Sequence, residues 1–219
     1  VVWTSWSEDI AFRKGKAVAE WTAKLKEDVD YQIFLQYHFF KQWLDVKKYA
    51  NDKGIELVGD CPIFIAYDSA DLWANKELFS VDEKGKLETC AGVPPDYFSE
   101  TGQLWGNPLY RWDVMEKDNF KWWQKRILSL FKISDVVRID HFRGFEAFWE
   151  IPGDAVTAQK GRWVKAPGDK LFNVIRKNLG TVPIIAEDLG IITKEVAELR
   201  DKYEFPGIRI MQFAFGPDG

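Results

Sequence analysis

Apolar residues dominate two stretches near the centre of the chain, residues 133–139 and 182–186. Acidic residues and then a glycine, Gly144 or Gly190, follow each stretch. Short apolar runs that end in turn residues are typical of buried strands, so we predict strands at residues 134–140 and 182–187. The segment between them is long enough for a loop and one crossover helix, which favours a parallel arrangement in one sheet.

The pattern predicts further strands and a series of helices, so the fold class is α/β. Two more strands are expected at residues 55–59 and 207–213. Helices are predicted, from helical spacing and from glycine and N-cap signals, at residues 31–52, 120–131 and 170–179, from about Gly15, and after Thr193.

The segment between the first predicted strand and the helix at residues 120–131 has little periodicity. Residues 61–117 are rich in Gly, Pro, Asp and aromatic residues, and Pro94 and Pro95 exclude a helix around them. We interpret the segment as a long rim insertion within one domain that spans residues 1–219. Loops of this length in compact domains are usually functional. The alternative is a structural lid that contacts no ligand.

Composition narrows the class of protein. The 219 residues are 46% hydrophobic and 29% charged, as in a globular protein. The net charge is −4, with Lys and Arg spread along the chain, so neither a nucleic acid nor an anionic membrane is an expected partner. No apolar run has membrane-spanning length. Two cysteines, Cys61 and Cys90, do not form a disulfide framework, which favours a reducing, cytoplasmic compartment.

Candidate catalytic residues lie at the ends of the predicted strands. Arg138 and Asp140 share a side-chain parity, and the guanidinium charge favours an ionised carboxylate that could act as a nucleophile. A second acid, Glu187, ends the neighbouring predicted strand, and Asp60 follows the strand at 55–59. Acids at the carboxyl ends of parallel strands share one rim in α/β barrels. Retaining glycosidases use a pair of acidic residues such as an Asp and a Glu for catalysis.

Simpler interpretations of these acids stay open. Arg138 and Asp140 could form a structural ion pair, and Asp60 could cap a turn. The apolar strand before Glu187 predicts a raised pKa for that carboxyl, because burial disfavours its charged form.

Neither a metal nor an organic cofactor is expected. Asp140 and His141 are the one adjacent candidate ligand pair, but neighbouring residues in a strand point to opposite faces. The sequence has no glycine-rich phosphate loop, and with His38 and His141 as its histidines no Ser-His-Asp arrangement is readable.

Eight stretches carry a specific resemblance to a known family. Pro-Pro-Asp-Tyr-Phe-Ser at residues 94–99 and Trp-Gly-Asn-Pro at 105–108 are the most specific, whereas Arg138-x-Asp140 is shared more widely. The matching stretches are residues 59–64, 68–73, 91–99, 105–112, 138–145, 161–168, 185–190 and 211–216. In these stretches the chain, from about Trp6 to its last residue, resembles the 4-α-glucanotransferases (amylomaltases or disproportionating enzymes) of the α-amylase clan.

The resemblance implies part of a (β/α)8 barrel with long rim loops. Such a barrel needs about 250 residues and eight strands, so we expect an incomplete barrel, the middle of a longer enzyme whose third catalytic carboxylate lies outside this chain. Whether the chain alone is active stays open.

The resemblance also implies a chemistry and a set of site residues. Asp140 would be the nucleophile and Glu187 the acid and base of a retaining transfer between maltooligosaccharides or other 1,4-α-glucans. Localisation would be cytoplasmic, or plastidial in a plant. The implied substrate-binding residues are Asp60, Asp96, Tyr97, Phe98, Gln103, Trp105, Arg138, His141 and Asp188.

Two other functions are compatible with the same residues, and a metal-dependent sugar isomerase on a barrel is a weaker alternative. A hydrolase of the same clan would use the same carboxylates with water as acceptor. A glucan-binding fragment without turnover is possible if a catalytic carboxylate is missing.

Overall fold

The chain forms a mixed α/β structure, and the computed structural model describes residues 2–96 and 99–215. The strands are β1 (Val58–Pro62), β2 (Thr89–Val93), β3 (Gln103–Pro108), β4 (Val136–Asp140), β5 (Ala147–Pro152), β6 (Arg162–Lys165) and β7 (Ile184–Ala186). The helices are α1 (Glu8–Ala11), α2 (Ala17–Lys24), α3 (Lys26–Asn51), α4 (Ala70–Ala74), α5 (Trp112–Lys117), α6 (Lys121–Ile133), α7 (Gly168–Leu179) and α8 (Lys194–Lys202).

A three-stranded parallel sheet in the order β1–β4–β7 carries the predicted acids. Asp60 pairs with Arg138, and Ile139 pairs with Ala186. Because side chains alternate along a strand, one face of this sheet is apolar and the other is not. The apolar face is buried and consists of Cys61, Val137, Ile139, Ile184 and Ala186. The opposite face therefore carries the polar residues Asp60, Arg138 and Asp140.

Three of the four predicted strands are confirmed, with changed bounds. The structure has β1 three residues later than predicted, and β4 and β7 shorter. The strand predicted at residues 207–213 is wrong. Residues 207–210 are irregular and Met211–Phe215 form a 3-10 turn. The side chain of Asp188 accepts the Ile208 N–H at 2.8 Å, so that N–H is not available to a strand ladder.

A second sheet, antiparallel and in the order β3–β2–β5–β6, corrects the prediction of an irregular segment at residues 61–117. Two of its strands, β2 and β3, lie within that segment. Neither alternates clearly between apolar and polar residues, and β2 packs so tightly on β3 that a Cβ at Gly92 would lie 2.1 Å from the Gln103 carbonyl oxygen. Cys90 and Cys61 are buried free thiols.

Aromatic side chains fill the core beneath the turn that follows β4. Phe142 and Phe145 in this turn are fully buried. Phe145 lies 5.1 Å from Trp123 of α6 and 5.0 Å from Phe172 of α7, as ring centroids. Offset and edge-on contacts of this kind favour a fixed arrangement of the rings, so the turn after Asp140 stands on a rigid base.

The long helix α3 is attached to the sheet at its C-terminal half. Trp43 donates from Nε1 to the Ile133 carbonyl at 2.8 Å, and Lys47 lies 3.0 Å from Asp135. Many of its other large apolar side chains are exposed, such as Tyr37 at 63%. Among the described residues, no helix combines the length and apolar character needed to cross a membrane.

Asp135, in the turn before β4, joins α3 to β1. Its carboxylate accepts the Leu57 N–H and the Asn51 side-chain N–H, each at 2.8 Å. These bonds, with Leu57 the larger cause, hold the pKa of Asp135 below its ordinary value. The side chain is 18% exposed and Lys47 is its ion-pair partner.

We expect Asp135→Ala to lower the free energy of unfolding by about 1–3 kcal/mol, the range for hydrogen bonds to a charged group. Urea unfolding measures this value. Because the folded-state pKa is lowered, the contribution is present above about pH 3.9 and is lost as pH falls through the folded-state pKa. Asp52→Ala, which removes a carboxylate that is 61% exposed, is the matched control and should change stability by less than about 0.5 kcal/mol. Equal effects of the two changes would contradict this role.

Candidate active site

Arg138 links carboxylates from two neighbouring strands. Its Nε donates to Asp60 Oδ1 at 2.6 Å, and its Nη1 lies 3.0 Å from Asp140 Oδ1. All three side chains are partly open to solvent, at 53% for Asp60, 33% for Arg138 and 46% for Asp140. The bond to Asp60 raises the pKa of Arg138 still further, so the guanidinium is a permanent cation on an accessible rim.

Glu187 extends the ladder between β4 and β7 by one residue. Its N–H donates to the Ile139 carbonyl at 2.9 Å, and its carbonyl accepts the Phe142 N–H at 3.1 Å. Ile185 pairs with Arg138, and Glu187 follows Ile185 by two positions, as Asp140 follows Arg138. Glu187 and Asp140 therefore lie at the same end and on the same face of the sheet.

Two backbone N–H groups hold the Glu187 carboxyl. His141 donates to Oε2 at 2.8 Å, and Leu189 donates to Oε1 at 3.0 Å. Burial raises the pKa of Glu187 and the charge of Asp140 adds to the rise, while the two N–H groups and Arg138 oppose it. The direction that the sequence predicts for this pKa is confirmed.

His141 connects the acids to the antiparallel sheet. Its backbone is left-handed, with φ 52°, and its ring lies edge-on to Trp105 at 4.8 Å between centroids. Burial lowers the pKa of His141 to about 4, so the imidazole is neutral at neutral pH. Within the described part of the chain, its buried Nε2 has no hydrogen-bond partner.

Gln103 and Trp105 lie on strand β3, which corrects the prediction of an irregular loop at these residues. Trp105 donates from Nε1 to Gln103 Oε1 at 3.0 Å, and it is 36% exposed. The two side chains share one face of β3 because they are two positions apart. The ring of Trp105 is thus held beside His141 and remains accessible.

The structure does not bring every predicted site residue to this rim. Asp188 is 3% exposed as a side chain and forms an ion pair with Arg200 of α8. Asp96 is exposed and accepts the Ser99 N–H at 2.9 Å, which closes a local turn. Tyr97 and Phe98 lie outside the described residues. Substrate contacts by these four residues stay predictions.

Sequence reasoning missed Arg143 and the two N–H donors to Glu187. Arg143 is a buried cation, 6% exposed, in the turn that follows Asp140. The motif shows that a guanidinium is present, but not that it is buried. The first N–H donor belongs to His141, whose left-handed backbone a non-glycine residue seldom adopts.

The described residues contain no group of three or more His, Cys, Asp or Glu side chains that could hold a metal ion. Between Asp60 and Asp140, the guanidinium of Arg138 occupies the position that a cation would take.

Retaining glycosidases use a pair of Asp or Glu carboxyls, and β4 and β7 place an Asp and a Glu at one end of the parallel sheet. The sequence model of a family described as 4-alpha-glucanotransferase matches residues 1–219, and the chain belongs to this family.

Relatives with known sequences or structures match nearly the whole chain. A 4-alpha-glucanotransferase of Streptococcus pneumoniae is 53% identical over 219 residues, all of this chain and 43% of the relative. One of Thermus thermophilus is 53% identical over 213 residues, 97% of this chain and 43% of the relative. An amylomaltase from Streptococcus agalactiae, solved in complex with acarbose, matches with a TM-score of 0.94 and 45% identity, covering 98% of this chain and 44% of that one. The chain thus spans less than half the length of these relatives.

Glu187→Gln should change how stability depends on pH. Because the folded-state pKa of Glu187 is raised, ionisation opposes folding. The stability of the wild type should therefore fall as pH rises from the unfolded value of about 4.3 through the folded-state pKa. The variant lacks this loss, so its stability relative to the wild type should increase with pH in urea-unfolding series. Glu77→Gln, at an exposed position, is the control and should show no trend. A flat difference for Glu187→Gln would contradict the raised pKa.

Proposed function

We propose that the intact protein is a retaining α-1,4-glucan transferase. It would move a glucosyl or maltooligosyl unit from one 1,4-α-glucan to the 4-hydroxyl of another sugar. The observation that carries this proposal is the pairing of Asp140 and Glu187 at adjoining strand ends in different environments. Asp140 is open and contacts a cation, whereas burial raises the pKa of Glu187.

The different environments of Asp140 and Glu187 suit them to different roles, nucleophile for Asp140 and acid and base for Glu187. In the first step a carboxylate oxygen of Asp140 attacks the anomeric carbon, and the glycosidic C–O bond breaks. Glu187 gives its proton to the departing 4-oxygen, so the shortened glucan leaves as an alcohol and a glycosyl ester stays on Asp140. In the second step the 4-hydroxyl of an acceptor attacks the anomeric carbon of the glycosyl ester while Glu187 takes the hydroxyl proton. The bond from that carbon to the Asp140 oxygen breaks, and the Asp140 carboxylate is regenerated.

Arg138 would orient the nucleophile. Its guanidinium contacts Asp140 through one nitrogen and Asp60 through another, so the attacking carboxylate is fixed by a planar group that carries a permanent charge. Asp60 is proposed to hydrogen-bond substrate hydroxyls from the same rim.

Trp105 would bind sugar by stacking. Its accessible ring lies next to His141, whose backbone N–H contacts Glu187. The flat C–H face of a glucose unit fits against such a ring, with Gln103 beside it as a hydrogen-bonding group. We propose that Asp96, Tyr97 and Phe98 border the same subsites.

The rest of the proposal concerns the intact protein. We infer that β1, β4 and β7 belong to a (β/α)8 barrel, and that the family's third catalytic carboxylate is supplied from outside these 219 residues. The substrates would be maltooligosaccharides and other 1,4-α-glucans in the cytoplasm, or in a plastid if the source is a plant.

Product analysis separates transfer from hydrolysis. The intact protein incubated with maltotriose should give glucose and oligomers longer than maltotriose. Asp140→Asn should lose more than about 10³-fold in turnover, because the covalent route is removed, and should still bind glucan. Glucose and maltose alone would support the hydrolase instead. Binding without turnover by the wild type would support a glucan-binding role.

A further inference from the structure

Arg143 lies where the two segments that hold Glu187 come together. It belongs to the 3-10 turn after β4, and its guanidinium carbon lies 3.8 Å from the ring centroid of Trp163 on β6. Its Nη1 donates to the carbonyl of Ile191 at 2.6 Å. Trp163 thus covers the guanidinium from one side, and the loop after β7 binds it from another.

This guanidinium is poorly compensated for its burial. The residue is 6% exposed, and its Nε has no hydrogen-bond partner within the described part of the chain. Glu146 acts on it through space, but the carboxylate of Glu146 is bonded to Lys165. Burying a cation with incomplete hydrogen bonding opposes folding. The contact with the Trp163 ring and the bond to the Ile191 carbonyl offset part of that cost, and the second of these ties Arg143 to the loop after β7.

Three hydrogen bonds link the turn after β4 to the loop after β7. Two of them end on the Glu187 carboxyl, and the third runs from Arg143 to Ile191, so together they close a ring. The His141 N–H, two residues before Arg143, donates to Glu187 Oε2. The Leu189 N–H, two residues before Ile191, donates to Glu187 Oε1. The bond from Arg143 to Ile191 joins the two segments on the far side of the carboxyl.

We propose that Arg143 is a positioning residue, which fixes the His141 and Leu189 N–H groups relative to each other so that the Glu187 carboxyl is aimed at the leaving oxygen. The inference rests on the proposed function, since it assigns Arg143 to the step in which Glu187 transfers a proton. His141 is held at φ 52°, a conformation that persists when surrounding contacts enforce it, and the Arg143 contacts supply that enforcement.

The test compares two donors in the intact protein. A glucan leaving group needs the proton of Glu187, whereas fluoride leaves a glucosyl fluoride without one. Arg143→Met should lower kcat on maltotriose by about 10- to 100-fold, with little change in KM. This is less than the roughly 10²- to 10⁴-fold that a general acid contributes, because Glu187 itself is retained. First-turnover fluoride release should fall by less than about 3-fold, because that step does not use the acid.

Two further variants complete the comparison. Arg143→Lys keeps the charge and one hydrogen-bonding nitrogen, so it should recover part of the maltotriose activity. If the Met variant does not fold, the Lys variant is compared on maltotriose and glucosyl fluoride in the same way. Arg162→Met removes a neighbouring Arg whose side chain is 77% exposed and should leave both activities unchanged.

The pH profile gives a second readout. Burial raises the pKa of Glu187, and the charge of Asp140 adds to the rise. The Leu189 and His141 N–H groups and Arg138 lower it. Loosening the two N–H bonds should raise this pKa, so the basic limb of kcat/KM should move to higher pH in Arg143→Met. A merely structural role would lower the amount of folded enzyme without moving the limb.

The outcomes separate this inference from the proposed function. Equal losses on both donors, or an unchanged basic limb, would overturn the role of Arg143. Wild-type activity of Arg143→Met would do the same. If Glu187→Gln still turned over maltotriose, the proposed function itself would be contradicted, whatever the result at Arg143.

Discussion

The parallel register between β4 and β7 is the constraint on which the site depends. Ile139 pairs with Ala186, so the next residue in each segment, Asp140 or Glu187, projects from the same edge and face. A shift of one residue would turn Glu187 towards the buried face and Asp188 towards the rim. The register is fixed by burial, because Val137, Ile139, Ile184 and Ala186 all lie on the apolar side. Packing on one face therefore determines which acids meet on the other.

The two acids differ because the surroundings of the strand ends differ. Asp140 lies beside a guanidinium that is shared with Asp60, and nearly half of its side chain is accessible. Glu187 lies one strand away, where burial dominates and the partners are backbone N–H groups. A raised pKa at Glu187 favours the protonated acid that the first step of transfer needs. The same raised pKa makes ionisation of Glu187 unfavourable for folding, a known trade-off at catalytic sites.

The sequence predicts the parts of the structure that depend on periodicity. The strands at Asp60, Asp140 and Glu187 follow from apolar runs, and α3, α6 and α7 follow from helical spacing. Strands β2 and β3 do not, since glycine and proline interrupt them and their pairing partners are distant in sequence. Because successive side chains of a strand point to opposite faces of the sheet, Glu187 and Asp188 must face opposite sides. The burial of Asp188 could therefore have been expected.

Other parts of the site depend on tertiary contacts that no local pattern records. Arg143 is buried against Trp163 of β6 and the loop after β7, and His141 has a left-handed backbone. The exposed ring of Trp105 lies beside His141, and its strand β3 is held within the antiparallel sheet. These features require the assembled fold.

The central claim is that Asp140 forms the covalent bond and Glu187 handles the proton. Trapping tests it most directly, with Glu187→Gln in the intact protein incubated with a glucosyl fluoride and then digested for mass spectrometry. Without its acid and base, the enzyme should still react with this donor and accumulate a glycosyl ester on the peptide that contains Asp140. A sugar attached to Asp60 or to any other carboxylate, or no covalent adduct while fluoride is released, would contradict the account.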